Sequence, residues 1–218
     1  MSAGRADGPD VVVIDVGLGN LRSVERALAR AGGRPRLSAQ PDDVARADVA
    51  VFPGQGAFGD AMHALADARL LEPLRARIDA GRPYLGICLG LQILFERSEE
   101  ALGVAGLGVL AGEVARFAAR PGRKVPHVGW NAVRPVAGSG AALLGAAGPY
   151  FYFTHSYYPR PATPACVAAW TEYDGETFAC AAALAGGNVT AVQFHPEKSQ
   201  DAGAAFLRAF LARACACA

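Results

Sequence analysis

Residues 82–95 read RPYLGICLGLQILF and contain the pattern that decides the fold. The first half is an apolar run typical of a buried strand, and Leu91, Leu94 and Phe95 follow at helical spacing. Cys88 lies where the predicted strand meets the predicted helix, with a glycine two residues away on either side. A tight turn needs such glycines because a side chain there would clash with the neighbouring backbone. We therefore predict a strand, a sharp turn and a helix, with Cys88 in the turn.

The pattern Gly-x-Cys-x-Gly around Cys88 is the thiol version of the nucleophile elbow, which exposes a nucleophile at the edge of an α/β sheet. Free N–H groups at the start of the helix would favour the thiolate, and the amide of Leu89 would bind a developing oxyanion. The competing interpretation is a buried cysteine that packs as a small apolar side chain, as most free cysteines do. The motif alone leaves the two interpretations about even.

Length and composition indicate one α/β domain with a substantial core, because the chain has 218 residues of which 52% are apolar. The formal net charge is +1, so neither nucleic acid nor a membrane surface is an expected partner. The first ten residues lack the apolar segment of a signal peptide, and no apolar run reaches membrane-spanning length. We predict a disordered tail over residues 1–10, a single domain over 11–213 and a frayed tail over 214–218.

The cysteines and glycines give no sign of a metal or a cofactor. Five cysteines without a Cys-x-x-Cys pair argue against a disulfide scaffold or a zinc ribbon and favour a reducing cytoplasm. The Gly-x-Gly at 17–19 follows a predicted strand, as in a dinucleotide-binding turn, but Arg22 stands where the third glycine would be. We therefore expect neither a bound metal nor a cofactor.

The order of predicted elements indicates the fold class. Before residue 82, strand patterns at 11–16, 34–37 and 49–52 alternate with helical patterns, which is typical of a parallel sheet with helices on both faces. Residues 135–148 are predicted as a loop or a short helix. The remaining predicted elements are strands at 109–117, 125–133, 150–153, 166–173, 177–183 and 188–194, and a closing helix at 201–213. We predict an α/β fold with an open, largely parallel mixed sheet flanked by helices.

Residues 191–199, AVQFHPEKS, supply the partners that a cysteine nucleophile needs. His195 ends a predicted strand and Glu197 follows two residues later. A histidine base takes the thiol proton and protonates the leaving amine, and a carboxylate orients its far nitrogen. A strand-end histidine beside a surface charge is the alternative. A zinc deaminase would require a downstream Pro-Cys-x-x-Cys, which the chain lacks.

Three further features are candidates for the same site. The loop Pro53-Gly54-Gln55-Gly56 could offer a second oxyanion donor or be a plain glycine turn. His155, in the segment THSYY at 154–158, competes as the base, but it has no carboxylate close in sequence, and we predict a hydrogen-bonded structural role for it. Gln92 could bind an amino acid or cap the sheet.

The motifs GICLGLQ at 86–92 and HPE at 195–197 resemble those of the class I (triad) glutamine amidotransferases. Segments 17–20, 53–58, 126–131 and 193–199 are similar to those of the glutaminase subunits of imidazole glycerol phosphate synthase. The resemblance extends over residues 11–213. Val16 departs from it, since an aromatic residue is frequent there.

This resemblance implies a flavodoxin-like fold and hydrolysis of L-glutamine to glutamate and ammonia. It implies that Cys88 attacks the amide carbon, that His195 shuttles the proton and that Glu197 orients His195. The partner would be a (β/α)8-barrel cyclase of histidine biosynthesis, bound as a heterodimer. The remaining implied positions are oxyanion donors at Leu89, Gly54 and Gln55, and glutamine contacts at Gly56, Gln92, Ser156 and Tyr157.

Two other functions stay open at this stage. The chain could serve another synthase, such as the pyridoxal phosphate one, although Gly129-Trp130-Asn131 argues against it. It could also be a non-catalytic binding subunit of the same fold. For the cyclase interface we predict Asn20, Trp130 and Lys198, because reactive residues of open α/β sheets gather beyond the carboxyl ends of the strands. Solvent exposure of Lys198 and core packing of Trp130 are the alternatives.

Overall fold

The computed structural model describes residues 8–145, 148–184 and 186–216. Parts of the predicted tails and of the predicted loop lie outside the described residues: residues 1–7 and 217–218 of the tails, and residues 146–147 of the loop. The strands are β1 (Asp10–Ile14), β2 (Arg34–Ser38), β3 (Val49–Gly54), β4 (Tyr84–Cys88), β5 (Phe95–Ser98), β6 (Leu110–Arg116), β7 (His127–Ala132), β8 (Arg134–Pro135), β9 (Tyr150–His155), β10 (Tyr157–Pro161), β11 (Val167–Tyr173), β12 (Glu176–Ala183) and β13 (Val189–Val192). The α-helices are α1 (Leu21–Arg30), α2 (Pro41–Arg46), α3 (Phe58–Asp67), α4 (Leu71–Asp79), α5 (Leu89–Gln92), α6 (Ser139–Leu144) and α7 (Gln200–Ala216).

The main sheet has the strand order β2-β1-β3-β4-β13-β12-β11-β8. The first five strands of this order pair in parallel, and the last three join by antiparallel pairing. Parallel pairing brings the carboxyl ends of β1, β3, β4 and β13 to one edge of the sheet. The predicted α/β class with a largely parallel mixed sheet is confirmed.

Each face of the sheet carries its own apolar core. In β1, Val11 and Val13 face one core and Val12 and Ile14 the other, as the two-residue strand period requires. Helices α1 and α7 cover the first face, whereas α3 and α4 cover the second. The central strands β3 and β4 are buried along their whole length because helices lie on both sides.

Two smaller sheets stand beside the main sheet. One has the order β10-β6-β5, and the other pairs β7 with β9 in antiparallel register. Neither β5 nor β10 is among the strands predicted from the sequence. The prediction of a helix that continues from Cys88 through Leu94 and Phe95 is wrong, because α5 ends at Gln92 and Phe95 begins β5. A short buried apolar run fits the residue period of a helix as well as that of a strand. Only the pairing of Phe95 with Leu110 shows that a strand forms here.

The ends of the domain differ from the predicted tails at both termini. Asp10 belongs to β1, where it pairs with Arg34, although it falls in the predicted disordered segment. Helix α7 continues three residues beyond the predicted end at Arg213, and Ala214 is buried in the core. The segment 135–148, predicted as a loop or short helix, contains the helix α6 and begins with Pro135, the second residue of β8.

Candidate active site

Cys88 occupies the turn between β4 and α5 with a strained backbone. Its φ of 55° and ψ of −102° lie in a sparsely populated region, which costs on the order of 1–3 kcal/mol for a residue with a side chain. A Cβ atom at Gly86 would lie 2.3 Å from the carbonyl oxygen of Gly90, and one at Gly90 would lie 2.0 Å from that of Phe52. Both glycines are therefore required for the turn that leaves the thiol at the carboxyl end of the sheet.

His195 and Glu197 follow β13 and lie at the same end. Nδ1 of His195 donates a hydrogen bond to Oε1 of Glu197 at 2.8 Å, and both side chains are almost fully buried. Nε2 of His195 makes no hydrogen bond of ordinary geometry among the described residues. Burial lowers the pKa of His195, but interactions with Cys88 and Glu197 outweigh burial and raise the pKa to about 10. His195 is therefore protonated at neutral pH and holds its proton beside Cys88.

The segment that contains His195 is held by hydrogen bonds to β9. The amide of His195 donates to the carbonyl of Tyr152 at 2.8 Å. The hydroxyl of Ser199 donates to the carbonyl of His195 at 2.6 Å and accepts from the amide of Tyr152 at 3.0 Å. Pro196–Lys198 forms one turn of 3-10 helix between these contacts. Ser199 therefore closes a compact loop that fixes the position of the imidazole.

The predicted oxyanion donors lie beside Cys88. Gly54 is the register partner of Cys88 in the parallel pair β3–β4. A Cβ atom at Gly54 would lie 3.0 Å from Cβ of Leu89, and one at Gly19 would lie 3.1 Å from the amide nitrogen of Gln55. The loop after β1, the loop after β3 and the turn at Cys88 thus approach each other at backbone distance.

An open cavity of about 420 Å³ has Cys88 in its wall. This volume lies in the range of sites for small molecules. Its wall includes residues that were singled out from the sequence, namely Gln55, Gly56, Leu89, Gln92, Ser156, Tyr157 and Lys198. Glu100, Tyr152, Thr154 and His155 complete the lining.

Glu100 is a site residue that the sequence analysis missed. Its carboxylate lies in the cavity wall, where Oε2 accepts a hydrogen bond from the amide of Phe58 at 2.7 Å. Residues 58 and 100 are distant in sequence, and no spacing rule connects a glutamate after β5 with Cys88. A carboxylate in this position fits the ammonium group of an amino acid.

Gln92 uses its side-chain NH2 group within the protein. Nε2 donates to the carbonyl of Tyr157 at 3.0 Å and to Oε1 of Gln193 at 3.2 Å. Gln92 also lines the cavity, and its binding of an amino acid stays a prediction.

His155 is held in a chain of buried hydrogen bonds. Its Nδ1 donates to the carbonyl of Tyr157 at 2.8 Å, and its Nε2 lies 3.1 Å from Nδ1 of His127. Nε2 of His127 lies 3.3 Å from Nδ2 of Asn131. Burial lowers the pKa of His155 to about 3 and that of His127 to about 4, so both rings are neutral at neutral pH. His155 is thus hydrogen-bonded, as predicted, and its structural role stays a prediction.

The three predicted interface residues are exposed, and Lys198 also lines the cavity. Trp130 is 47% exposed and lies within β7 rather than at a strand end. It contacts Tyr152 edge-on, with ring centroids 6.3 Å apart, and Nζ of Lys198 lies 5.7 Å from the centroid of the same ring. Asn20 precedes α1 and borders a small cavity against His195 and Glu197. Trp130 is therefore not a core residue, and the alternative interpretation of core packing is wrong.

The described residues contain neither a cluster of metal ligands nor a helix that could span a membrane. In the parts of the chain that the structure describes, no three His, Cys, Asp or Glu side chains are grouped as metal ligands. Over the same residues, no helix is both long and apolar enough to cross a membrane.

Known proteins that are similar in sequence to this chain belong to the glutamine amidotransferases. The sequence profile of the class I glutamine amidotransferases matches residues 12–214. The imidazole glycerol phosphate synthase subunit HisH of Rhodopirellula baltica is 44% identical over 200 residues, which cover 92% of this chain and 96% of the relative. That of Deinococcus radiodurans is 47% identical over 204 residues, which cover 93% of each chain.

Solved structures share the fold at lower identity. A crystal structure of a glutamine amidotransferase superposes with a TM-score of 0.72 at 21% identity and covers 93% of this chain and 98% of its own. PurLQS from Thermotoga maritima gives a TM-score of 0.69 at 18% identity, with 95% and 97% covered. The profile match and the identities over nearly full length are decisive: the chain belongs to the class I glutamine amidotransferases, in the family of imidazole glycerol phosphate synthase subunit HisH.

Proposed function

We propose that the chain hydrolyses L-glutamine with Cys88, His195 and Glu197 and delivers the ammonia to a (β/α)8-barrel cyclase, which makes imidazole glycerol phosphate in histidine biosynthesis. The observation that carries this proposal is the hydrogen-bonded His195–Glu197 pair beside Cys88 at the wall of a cavity of amino-acid size. Family membership supports the substrate and the partner. The free cysteines among the described residues fit the cytoplasmic location that we propose for the chain.

The first chemical step forms a thioester. The Cys88 sulfur attacks the side-chain carbonyl carbon of glutamine, and the carbonyl oxygen becomes an oxyanion. Amides of Leu89 and of the Gly54–Gln55 segment are the proposed donors to that oxyanion, and loss of one such donor typically costs about two to three orders of magnitude in rate. The imidazolium of His195 protonates the departing nitrogen, so the C–N bond breaks with release of ammonia.

The second step hydrolyses the thioester. Neutral His195 takes a proton from water as the oxygen attacks the carbonyl carbon, and the C–S bond breaks to restore the thiolate and the imidazolium. Glu197 keeps Nδ1 protonated and the ring oriented in both steps. Ammonia is mostly protonated in neutral water and is then no nucleophile, so direct transfer to the cyclase preserves its reactivity.

A label experiment tests the proposed function. The chain and its cyclase are supplied with glutamine that carries ¹⁵N in the side-chain amide, in an excess of unlabelled ammonium salt. Labelled imidazole product together with glutamate supports both hydrolysis and direct delivery. Glutamate without labelled product contradicts direct delivery, and no glutamate from the intact complex contradicts the glutaminase itself.

We assign Glu100 to the α-ammonium group of glutamine. Glu100→Gln keeps the shape and an oxygen acceptor for the Phe58 amide but removes the charge. We expect the KM for glutamine to rise about tenfold or more with little change in kcat, because a hydrogen bond to a charged group contributes about 1.5–3 kcal/mol. Steady-state kinetics measure both constants. Glu99→Gln, at a neighbouring exposed position outside the cavity lining, is the matched control, and an equal effect of both changes contradicts the assignment.

We assign Lys198 to the cyclase interface. Lys198 is exposed beside Tyr152 and Trp130 at the cavity mouth, where a partner that accepts ammonia has to dock. A compact ammonium group suits a single carboxylate across such an interface. We expect Lys198→Ala to weaken cyclase binding or coupling by about 1–3 kcal/mol if the charge pair is buried.

Titration calorimetry with the cyclase and a thermal melt of the free variant measure this effect. Lys124→Ala is the control, since Lys124 is the other lysine of the chain and is exposed away from the cavity. Wild-type affinity and coupling in Lys198→Ala contradict the interface assignment. A loss of thermal stability would instead reveal a structural role.

A further inference from the structure

Gln193 is a fully buried amide beside the nucleophile. It follows β13, and its backbone amide donates to the carbonyl of Cys180 at 2.8 Å, which fixes the chain. Its side chain has 0% exposure. Side-chain Nε2 lies 3.4 Å from Sγ of Cys88, within hydrogen-bonding distance of a sulfur acceptor. Gln193 therefore touches the reacting atom, although the proposed reaction assigns it no role.

Neighbouring groups determine which end of the amide faces the sulfur. The carbonyl oxygen of Tyr157 can only accept, so the Gln92 atom 3.0 Å away is the NH2 nitrogen. The same nitrogen lies 3.2 Å from the side chain of Gln193 and needs an acceptor there, which identifies that atom as Oε1. The remaining atom of the Gln193 amide is consequently the NH2 group, and it points toward Cys88.

We propose that Gln193 is a further catalytic residue, whose side-chain amide donates a hydrogen bond to the Cys88 sulfur and stabilises the thiolate. A thiolate accepts hydrogen bonds better than a thiol, so a fixed donor shifts the ionisation toward the charged form. The same donor assists the second step of the proposed reaction, in which the thiolate is the leaving group. Gln92 and Tyr157 act on Cys88 only through Gln193 and are positioning groups in this network.

This inference deepens the proposed function and rests on Cys88 as its nucleophile. Its test, however, measures the ionisation of Cys88 without glutamine. The rate of alkylation of Cys88 by iodoacetamide is followed against pH, with mass spectrometry of the peptide that contains it. Cys215, exposed in the described part of α7, is alkylated in the same sample and serves as the internal reference.

Gln193→Met keeps the length of the side chain and removes the donor. We expect the alkylation midpoint of Cys88 to rise by about one pH unit, equivalent to the loss of one hydrogen bond, while Cys215 keeps its profile. At any pH at least one unit below the wild-type midpoint, the alkylation rate of Cys88 should fall about tenfold, because the thiolate fraction there changes about tenfold for each unit of midpoint. Thr190→Val is the matched control, because the Thr190 hydroxyl is buried in β13 and has no hydrogen-bond partner among the described residues. This change should leave the Cys88 profile unchanged.

A thermal melt shows whether Gln193→Met is folded. A folded variant with an unchanged Cys88 midpoint overturns the assignment. If it does not fold, Gln193→Glu is used, since the carboxylate keeps the shape and the acceptor for Gln92. We expect Gln193→Glu to raise the Cys88 midpoint above the wild-type value, because the donor is lost and a negative charge faces the thiolate. An unchanged or lowered midpoint overturns the assignment. A shifted midpoint in an enzyme that releases no glutamate would contradict the proposed function alone.

Discussion

Replacing Cys88 with alanine should abolish glutamine-dependent synthesis by the complex and leave synthesis from added ammonium salts intact. In the proposed reaction Cys88 acts only before ammonia is released, so the cyclase reaction does not need the thiol. Both activities are measured on one preparation of the complex. The glutamine-dependent rate should fall to the background level, the largest effect that we predict for any single change.

A second buried cysteine provides the control for this experiment. Cys180 lies in β12, where burial strongly raises its pKa and keeps the thiol neutral. Cys180→Ala should retain both activities and lose at most a little stability from the small cavity that it creates. Loss of the ammonia-dependent rate in Cys88→Ala would mean that Cys88 is needed for the structure of the complex rather than for glutamine hydrolysis.

His195→Asn should reduce thioester formation by several orders of magnitude, whereas His155→Asn should cost far less. The pKa of His195 is raised to about 10 by Cys88 and Glu197, so it has a proton to give to the leaving nitrogen. Both ring nitrogens of His155 are engaged, with Tyr157 and with His127. Its pKa of about 3 makes it a poor base near neutral pH. Rapid-quench trapping of the acyl-enzyme measures the step directly.

The two variants also differ in what they do to stability. His155→Asn breaks a buried hydrogen-bond chain, so we expect it to lower the free energy of unfolding by about 1–3 kcal/mol. A thermal melt separates this loss from a defect in chemistry. A larger defect in thioester formation at His155 than at His195, in two folded variants, would reverse the assignment of the base.

The pH dependence of stability follows from the raised pKa of His195. Protonated His195 is favoured in the folded protein, so its contribution to stability is full below the unfolded pKa of about 6.5. The contribution falls as pH rises and is lost above the folded pKa of about 10.

Local patterns of residues are sufficient to predict several features of the fold and the site. Gly86, Cys88 and Gly90 are enough to predict the sharp turn, because any side chain at either glycine meets backbone. Alternating strand and helix patterns are enough to predict a largely parallel sheet, since each pattern spans a few consecutive residues. His195 and Glu197 are recognisable because they lie two residues apart and hydrogen bond to each other.

Features that depend on contacts between residues far apart in the chain become apparent only in the folded protein. α5 ends after one turn because Phe95 pairs with Leu110 in a sheet that no local pattern predicts. Glu100 enters the cavity wall through a contact with Phe58, and Gln193 reaches Cys88 only because β13 pairs with β4. The physical reason is the same in each case: a hydrogen bond between distant residues exists only after the sheet has brought their strands together.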